Sequence, residues 1–514
     1  MSKNIIKVLK ILSVTSLFIL VILIYISKLG EKGLLKKQEQ SVEINQVQAQ
    51  TTSSDWPQYQ HDENRTGYNP VTTTKTNFGY VWDVWHQDDT FTHTAQPIVI
   101  GNRTYIGSKK GIVYAYDLIT GHLDWSRQLD GAINHTLAGI DTAVFAATLN
   151  GSVYALDPAD GSDVWSPPYH PATPPASFGG ALLLVESENS LYVTNRLGKL
   201  HALNVADGSE KWSPVSIPGP VISSPTYGND NVFIGGGDLK MHAVNATSGT
   251  VVWTSTQLYG DNFGKYAPVF AENKVIITTA PAVYTKYINQ QDHTLMDQAN
   301  MDVVEGYMDR NANKTNPNYN PFDPVKLVTP MQKTIDWLTV HPRSQTYYVF
   351  DANTGAQPYI PSVLHVIANG GAQPPPIYTN RGLETMFHVA GAAFNGCDYY
   401  CSLANAIPWG AFGRMDLNTG RIVERYTDSN ISSKYTPDEI TVDETNNYSA
   451  AGDIIIGARC QTEPGCSLRD GSNCSISNRP SHPFPDDLCQ MGSAAIYANG
   501  YIVQLYQNMI VVYH

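Results

Sequence analysis

Six segments of the chain repeat one phrase, the first four at a spacing of about forty residues and the last two at longer intervals. They run over 111–125 (GIVYAYDLITGHLDW), 151–165 (GSVYALDPADGSDVW), 198–212 (GKLHALNVADGSEKW), 239–253 (LKMHAVNATSGTVVW), 345–359 (QTYYVFDANTGAQPY) and 410–424 (GAFGRMDLNTGRIVE). Each reads as a strand, a tight turn opened by Asp or Asn and closed by Gly, and a second strand. Self-similarity of this kind means units stacked side by side, none of which buries its apolar face alone. The repeat therefore specifies a scaffold, and a scaffold does not name its ligand.

The second copy shows what the phrase needs. Val153, Ala155 and Asp157 share one face of the strand, and Tyr154 and Leu156 the other. Ala155 recurs as Ala115, Ala202 and Ala243, a small residue that would let a neighbouring sheet approach. Asp157, like Asp117, is placed to bond the backbone of the turn that follows. Gly161, with Gly121, Gly208 and Gly249 at the same place, takes positive φ without steric penalty. Trp165 offers a large apolar face to the next unit, and Trp125, Trp212 and Trp253 recur there, replaced by Tyr359 and Glu424 in the last two copies.

The phrase G-x-V-Y-A-L-D-x-x-x-G-x-x-x-W resembles the repeat of the PQQ (pyrroloquinoline quinone)-like β-propellers. Trp56-Pro57-Gln58-Tyr59 with His61-Asp62 and Arg65-Thr66-Gly67 is similar to the opening of such domains. The resemblance covers residues 55–514 and implies an all-β propeller, commonly of eight four-stranded blades. The family includes quinone-dependent dehydrogenases and non-enzymatic scaffolds such as an outer-membrane assembly lipoprotein. The chain ends on strands 501–507 and 509–514, one strand short of a full unit, while 79–85 (GYVWDVW) reads as an outer strand with no repeat before it. Pairing the two closes the ring and removes open edges. Seven blades are recognisable. The long interval after Gly410, with strand-like 439–443 and 453–458, has room for a degenerate unit; eight is the expected count and seven the alternative.

Outside the repeats, 11–26 is an uncharged apolar run preceded by Lys3, Lys7 and Lys10. The reading is a signal-anchor, a transmembrane helix within 1–27, followed by a polar tether over 28–54 and the propeller over 55–514. The competing reading is a cleaved signal peptide, but the small-residue stretch Val47-Gln48-Ala49 lies too far beyond the run. Lysines flank both sides, so orientation is not set by charge. All six cysteines, Cys397, Cys401, Cys460, Cys466, Cys474 and Cys489, fall in the C-terminal part, as disulfide candidates for an oxidising compartment whose connectivity stays open. Nine N-x-S/T sequences occur: Asn64, Asn102, Asn134, Asn150, Asn313, Asn430, Asn447 and Asn473 are glycosylation candidates, and Asn245 sits in a repeat turn. The net charge of −13 argues against nucleic acid as a partner.

Three stretches break the rhythm: insertions at 281–343, with helix-like parts at 290–310 and 324–340, and at 460–489, and a Gly/Pro-rich stretch at 361–376. Loops on a rigid scaffold are where binding residues usually sit. For an enzyme, the resemblance implies PQQ with a Ca²⁺-type metal and an Asp base. Those residues do not map onto this chain, so no catalytic or metal residue is assigned and any cofactor-binding residues stay open. Vicinal cysteines and C-x-x-C-H are absent; Cys397 and Cys401 form C-x3-C. His86 and His93 bracket Asp88 and Asp89, which reads as solvated positions in a polar turn rather than a shared metal site. G-x-S-x-G and Walker motifs are lacking. The functional expectation is a membrane-anchored, extracytoplasmic binding or structural scaffold. Its rivals are a PQQ-dependent dehydrogenase with a divergent site and a subunit of an extracellular assembly. The central channel discriminates: carboxylates beside a flat aromatic slot favour the enzyme, and a plugged channel leaves surface binding.

Overall fold

Short apolar runs bounded by Gly, Asn and Asp turns give strands of two to nine residues, too short to bury much alone. The computed structural model describes residues 54–71, 77–92, 95–171, 177–260, 262–264, 266–280, 331–332, 334–336, 338–366, 375–390, 410–425, 449–451, 454–458, 464–468, 475–477 and 495–514. Met1–Ser53 is a separate unit from Ser54–His514. The proposed anchor (1–27) and the tether as far as Ser53 lie outside the described residues. Among the described residues no helix is long and apolar enough to cross a membrane.

The described strands form eight mostly antiparallel sheets. Sheet 1 shows the plan: Ile98–Ile100, Arg103–Gly107, Ile112–Asp117 and Leu123–Gln128 pair in that order. The repeat phrase supplies the third and fourth strands. The innermost strands of sheets 2 to 8 are Ala138–Ile140, Leu183–Val185, Thr226–Gly228, Val269–Ala271, Ile377–Thr379, Ser449–Ala451 and Ile496–Ala498. Each inner strand neighbours the next. Sheets 8 and 1 share one core, in which Ile496 and Val503 pack with Val99 and Ile106. The array is thus a closed ring with its short inner strands around the axis.

The two ends of this unit meet in sheet 8. Asn77–Trp85 pairs antiparallel with Met509–Tyr513 as the strand outside it, and Gly79 and His514 exchange two backbone hydrogen bonds of 2.8 and 2.9 Å. Sheet 7, with Ile454–Ala458 and Pro464–Leu468, fills the long interval after Gly410. Some sheets depart from the plan. Sheet 2 keeps its fourth strand only as bridges at Leu156–Asp163 and Val153–Tyr169. Sheet 5 has three strands. A helix within 331–340, inside the expected insertion, brings Met331 and Leu338 into the core with Val349 and Ile422. Residues 281–330 and 439–443 lie outside the described residues.

The repeated alanine acts inside its own sheet. Ala115 lies opposite Tyr105 on one side and Trp125 on the other, and Ala243 between Phe233 and Trp253. A methyl group there leaves room for two rings over one rung, with centroids 5.8 Å apart in both sheets. The expected effect on the neighbouring sheet is therefore indirect: the alanine seats the tryptophan, and the tryptophan makes the contact.

Candidate functional site

The axis of the ring is occupied by the segment that opens the described unit. Inner strands present an unpaired backbone edge to the channel, and a buried unpaired edge is costly. Residues 56–69 satisfy those edges in order around the ring. Trp56 exchanges two 2.9 Å bonds with Val99 of sheet 1. The Pro57 carbonyl accepts from Gly139 of sheet 2 at 2.9 Å. The Gln58 side chain bonds both backbone groups of Leu184 in sheet 3 at 3.0 Å. The carbonyls of Glu63, Asn64 and Thr66 accept from Tyr227, Phe270 and Tyr378 of sheets 4, 5 and 6 at 2.8, 2.9 and 2.8 Å. Tyr68–Asn69 pairs in parallel with Ala450 and Ala451 of sheet 7, and Asn69 Nδ2 donates to Tyr497 of sheet 8 at 2.9 Å. In every sheet the middle residue of the inner strand takes part.

Arg65 fixes the centre of this plug. It is fully buried, and burial pulls its guanidinium down to about 10. Its donors reach the carbonyls of Pro225 (3.0 Å), Tyr59 (2.6 Å) and Leu182 (2.7 Å) and Gln58 Oε1 (3.1 Å). Gln60, His61 and Arg65 hold φ of 56°, 75° and 60°, a left-handed conformation that non-glycine residues keep only where surroundings impose it. Glu63 sits beside Asp62, and burial first, then that neighbour, raises its carboxyl above the usual range. Tyr59 packs with Ala181 and Ala267.

At the level of the inner strands the axis is therefore polypeptide. A planar quinone with its metal needs a flat open slot and convergent oxygen ligands. Trp56, Tyr59, Gln60 and Arg65 are instead buried against protein. Among the described residues no group of three or more His, Cys, Asp or Glu side chains is placed to hold a metal. The described axis does not fit PQQ, and no chemical step is derived through it.

The phrase residues build latches at the rim. Trp125 lies on Gly161 of sheet 2 and donates its indole N–H to the Pro158 carbonyl at 3.0 Å. Trp165 does the same with Gly208 and Val205 (3.0 Å), Trp212 with Gly249 and Ala246 (3.0 Å), and Trp253 with Gly355 and Ala352 (2.8 Å). The acceptor always follows the Asp or Asn that opens the turn. Asp117 Oδ1 accepts from Thr120 N at 2.7 Å, and its carboxyl is held below the usual range, chiefly by the Thr120 hydroxyl; Asp157 accepts from Ala159 N at 2.7 Å. Two latches were not read from the sequence. Trp82, on the closing strand, lies on Gly121 and donates to Leu118 at 2.9 Å, and Tyr359 reaches the Leu417 carbonyl with its hydroxyl over Gly420. The spacing of Trp82 within GYVWDVW was the available signal. At Glu424 the latch is replaced: Glu384, Arg414 and Glu424 form a charged rung, with Glu424 bonding Arg381 at 2.8 Å and Arg414 at 3.1 Å.

Two polar clusters flank the latches. His201 Nδ1 lies 2.9 Å from the Tyr169 hydroxyl, which donates to Glu210 at 2.6 Å. Asn195 Nδ2 lies 2.9 Å from His201 Nε2, and its oxygen accepts from Leu197 and Lys199. That pattern makes the ring a neutral Nδ1–H imidazole, and burial pushes it down to about 4. The second cluster corrects the reading of His86 and Asp89 as solvated. His86 bonds the Tyr116 hydroxyl at 2.8 Å, and Asp89 is buried and accepts from Tyr114 at 3.1 Å. His93 lies outside the described residues, as do Cys397, Cys401, Cys460, Cys474, Cys489, Asn313, Asn430, Asn447 and Asn473. The backbone of Cys466 lies in strand Pro464–Leu468. A cleft of about 300 Å³ between sheets 1 and 2 is lined by Asn102, Arg103, Tyr105, Asp117, Asp124 and Asp141, with Arg103 bonded to Asp124 at 2.5 Å.

A family model described as outer membrane protein assembly factor BamB matches residues 79–220 and 149–285. No curated protein matches the chain in sequence. Among solved structures, a europium-containing methanol dehydrogenase is 12% identical with a TM-score of 0.55, over 90% of this chain and 98% of that one. A quinohemoprotein alcohol dehydrogenase from Comamonas testosteroni is 11% identical with a TM-score of 0.54, over 90% and 80%. At these identities the likeness concerns the fold. Over the matched residues 79–285 the repeats are similar to those of that family model, and the fold is similar to that of the two dehydrogenases.

Proposed function

We propose that this PQQ-like repeat protein is a membrane-anchored, extracytoplasmic β-propeller of eight blades that works as a rigid binding scaffold. The observation that supports this is the plug over 56–69, which leaves recognition to the loops around the ring. The insertions at 281–343 and 460–489 are the assigned contact surfaces. The description of the matched family, an assembly factor, favours a protein partner, which includes the role of a subunit in an extracellular assembly.

A second reading is a quinone-dependent dehydrogenase, favoured by the names of the structural neighbours. The filled axis weighs against it. Thermal unfolding with PQQ and Ca²⁺ separates the two. The scaffold reading expects no shift and no reduction of an artificial electron acceptor with alcohols or sugars. A shift with turnover overturns it. Protease treatment of intact cells tests the location: propeller peptides should be released without lysis. Size measurement of the native extract tests the assembly role, against which a monodisperse monomer would count.

A further inference from the structure

One residue pattern in sheet 1 serves no purpose in the fold. The second strand of each sheet places one residue opposite the middle of the inner strand, and the side chains of Val144, Leu191, Val232, Val275, Leu383 and Ile502 pack in the cores between sheets. Seven of the eight opposed residues are aliphatic: Val144, Leu191, Val232, Val275, Leu383, Ile455 and Ile502. The eighth is Thr104, opposite Val99. Thr104 is fully buried, and its hydroxyl has no hydrogen-bond partner. Valine has the same shape without the cost of an unpaired buried hydroxyl. The packing of this position therefore asks for Val, and the chain has Thr.

Thr104 closes the sequence Asn102-Arg103-Thr104. Asn102 is exposed in the hairpin turn after Ile98–Ile100, and its side chain makes no hydrogen bond among the described residues. Next to it, Gly101 has φ +56 and nothing within 4 Å of where a Cβ would stand, with its N–H and carbonyl bonded to Asp55 and Asn499. Asn102 also lines the cleft between sheets 1 and 2. The other described N-x-S/T sequences are employed by the fold. Asn64 donates to Tyr227 at 2.8 Å from inside the plug, and Thr66 bonds Asp62. Asn134 accepts from Thr92 at 3.3 Å, and Thr136 accepts from Gln96 N at 2.8 Å. Asn150 donates to Asp130, and Ser152 bonds the same residue at 2.6 Å. Asn245 accepts from Ser248 N at 2.9 Å within its turn.

We infer that Asn102 carries an N-linked glycan, and that the Thr104 hydroxyl is present for acceptor recognition before folding buries it. The donor class is an oligosaccharide on a polyprenyl diphosphate. The bond from sugar C1 to the diphosphate oxygen breaks, C1 bonds Asn102 Nδ2, and the amide proton leaves with the diphosphate. This inference rests on the extracytoplasmic reading, since such transfer occurs on exported chains.

The test expresses the full chain in insect cells and maps glycopeptides by mass spectrometry. Asn102 should be occupied, and Asn102→Gln should remove one glycan's worth of gel mobility. Thr104→Ser should keep the glycan. Thr104→Val should abolish it, yet raise the urea midpoint of the enzymatically deglycosylated protein. An unmodified Asn102 beside modified sites elsewhere overturns this inference alone, and a chain with no glycan at all overturns the export reading with it. A lower midpoint for Thr104→Val also overturns it, because the hydroxyl would then have a structural partner.

Discussion

The latch between sheets 2 and 3 allows the work of a glycine to be split into two measurable parts. Gly208 holds φ +73, and a Cβ there would stand 2.8 Å from Trp165 Cε3. A left-handed backbone costs a non-glycine residue roughly 1–2 kcal/mol, less a few tenths to 1 kcal/mol regained because alanine stiffens the unfolded chain. Gly101 has φ +56 and open space, so Gly101→Ala should cost only that net amount, about 1 kcal/mol. Gly208→Ala must also push the indole off its seat. Losing the 3.0 Å bond to Val205 and part of the packing adds about 2 kcal/mol, for a total near 3. Trp165→Ala alone should cost about 3–5 kcal/mol. With the indole gone, Gly208→Ala should fall back to the Gly101→Ala value, a coupling of about 2 kcal/mol between two contacting residues. Urea unfolding of the four proteins and the Gly101 control measures this, provided the slopes agree. Additive costs, or a Gly101→Ala cost as large as that of Gly208→Ala, would refute the latch argument.

Three further outcomes follow from the same structure. His201 is neutral when folded, with its pKa at about 4 against an ordinary 6.5. As pH falls from 6.5 towards 4 the unfolded chain binds a proton that the folded chain refuses, so stability drops by up to roughly 3 kcal/mol; it is whole above 6.5. Urea midpoints across that range should show the slope in the parent and lose that part of it in His201→Gln. Arg65→Met should cost about 3–5 kcal/mol in urea unfolding by stripping buried carbonyls of a charged donor. Amide exchange should then accelerate at Gly139, Tyr227, Phe270 and Tyr378, whose N–H groups the plug covers. Tyr359→Phe should lose about 1 kcal/mol with its bond to Leu417 by the same assay.

The rim of the ring was legible because its chemistry is local. Asp117, Gly121 and Trp125 recur at fixed spacing, and each does its work within one hairpin or against the next copy. The closing strand was legible for a similar reason, since Gly79–Trp85 is a fourth strand without its other three. The axis was not. Trp56-Pro57-Gln58-Tyr59 and Arg65-Thr66-Gly67 read as an opening motif, but their partners, from Val99 to Tyr497, are spread over the whole unit and are chosen by backbone position rather than residue type. Periodicity carries no trace of a segment that visits every unit once. His86 was misread because a polar turn in sequence became half-buried beneath Tyr114 and Tyr116 of the next sheet. Thr104 looks like an ordinary strand residue until the eight equivalent positions are lined up.

Residues 56–69 leave the ribosome ahead of everything they bind. Their last acceptor, Tyr497, is made some four hundred residues later. Seating of this stretch can therefore be completed only after the last inner strand has been made. The Gln, Asp, Glu, Asn and Arg side chains of the stretch suit a segment that is hydrated until its partners exist, whereas an apolar one would collapse onto the first sheet available. Its final seating then acts as a check on completeness, since one missing or misregistered inner strand leaves a gap in the circuit.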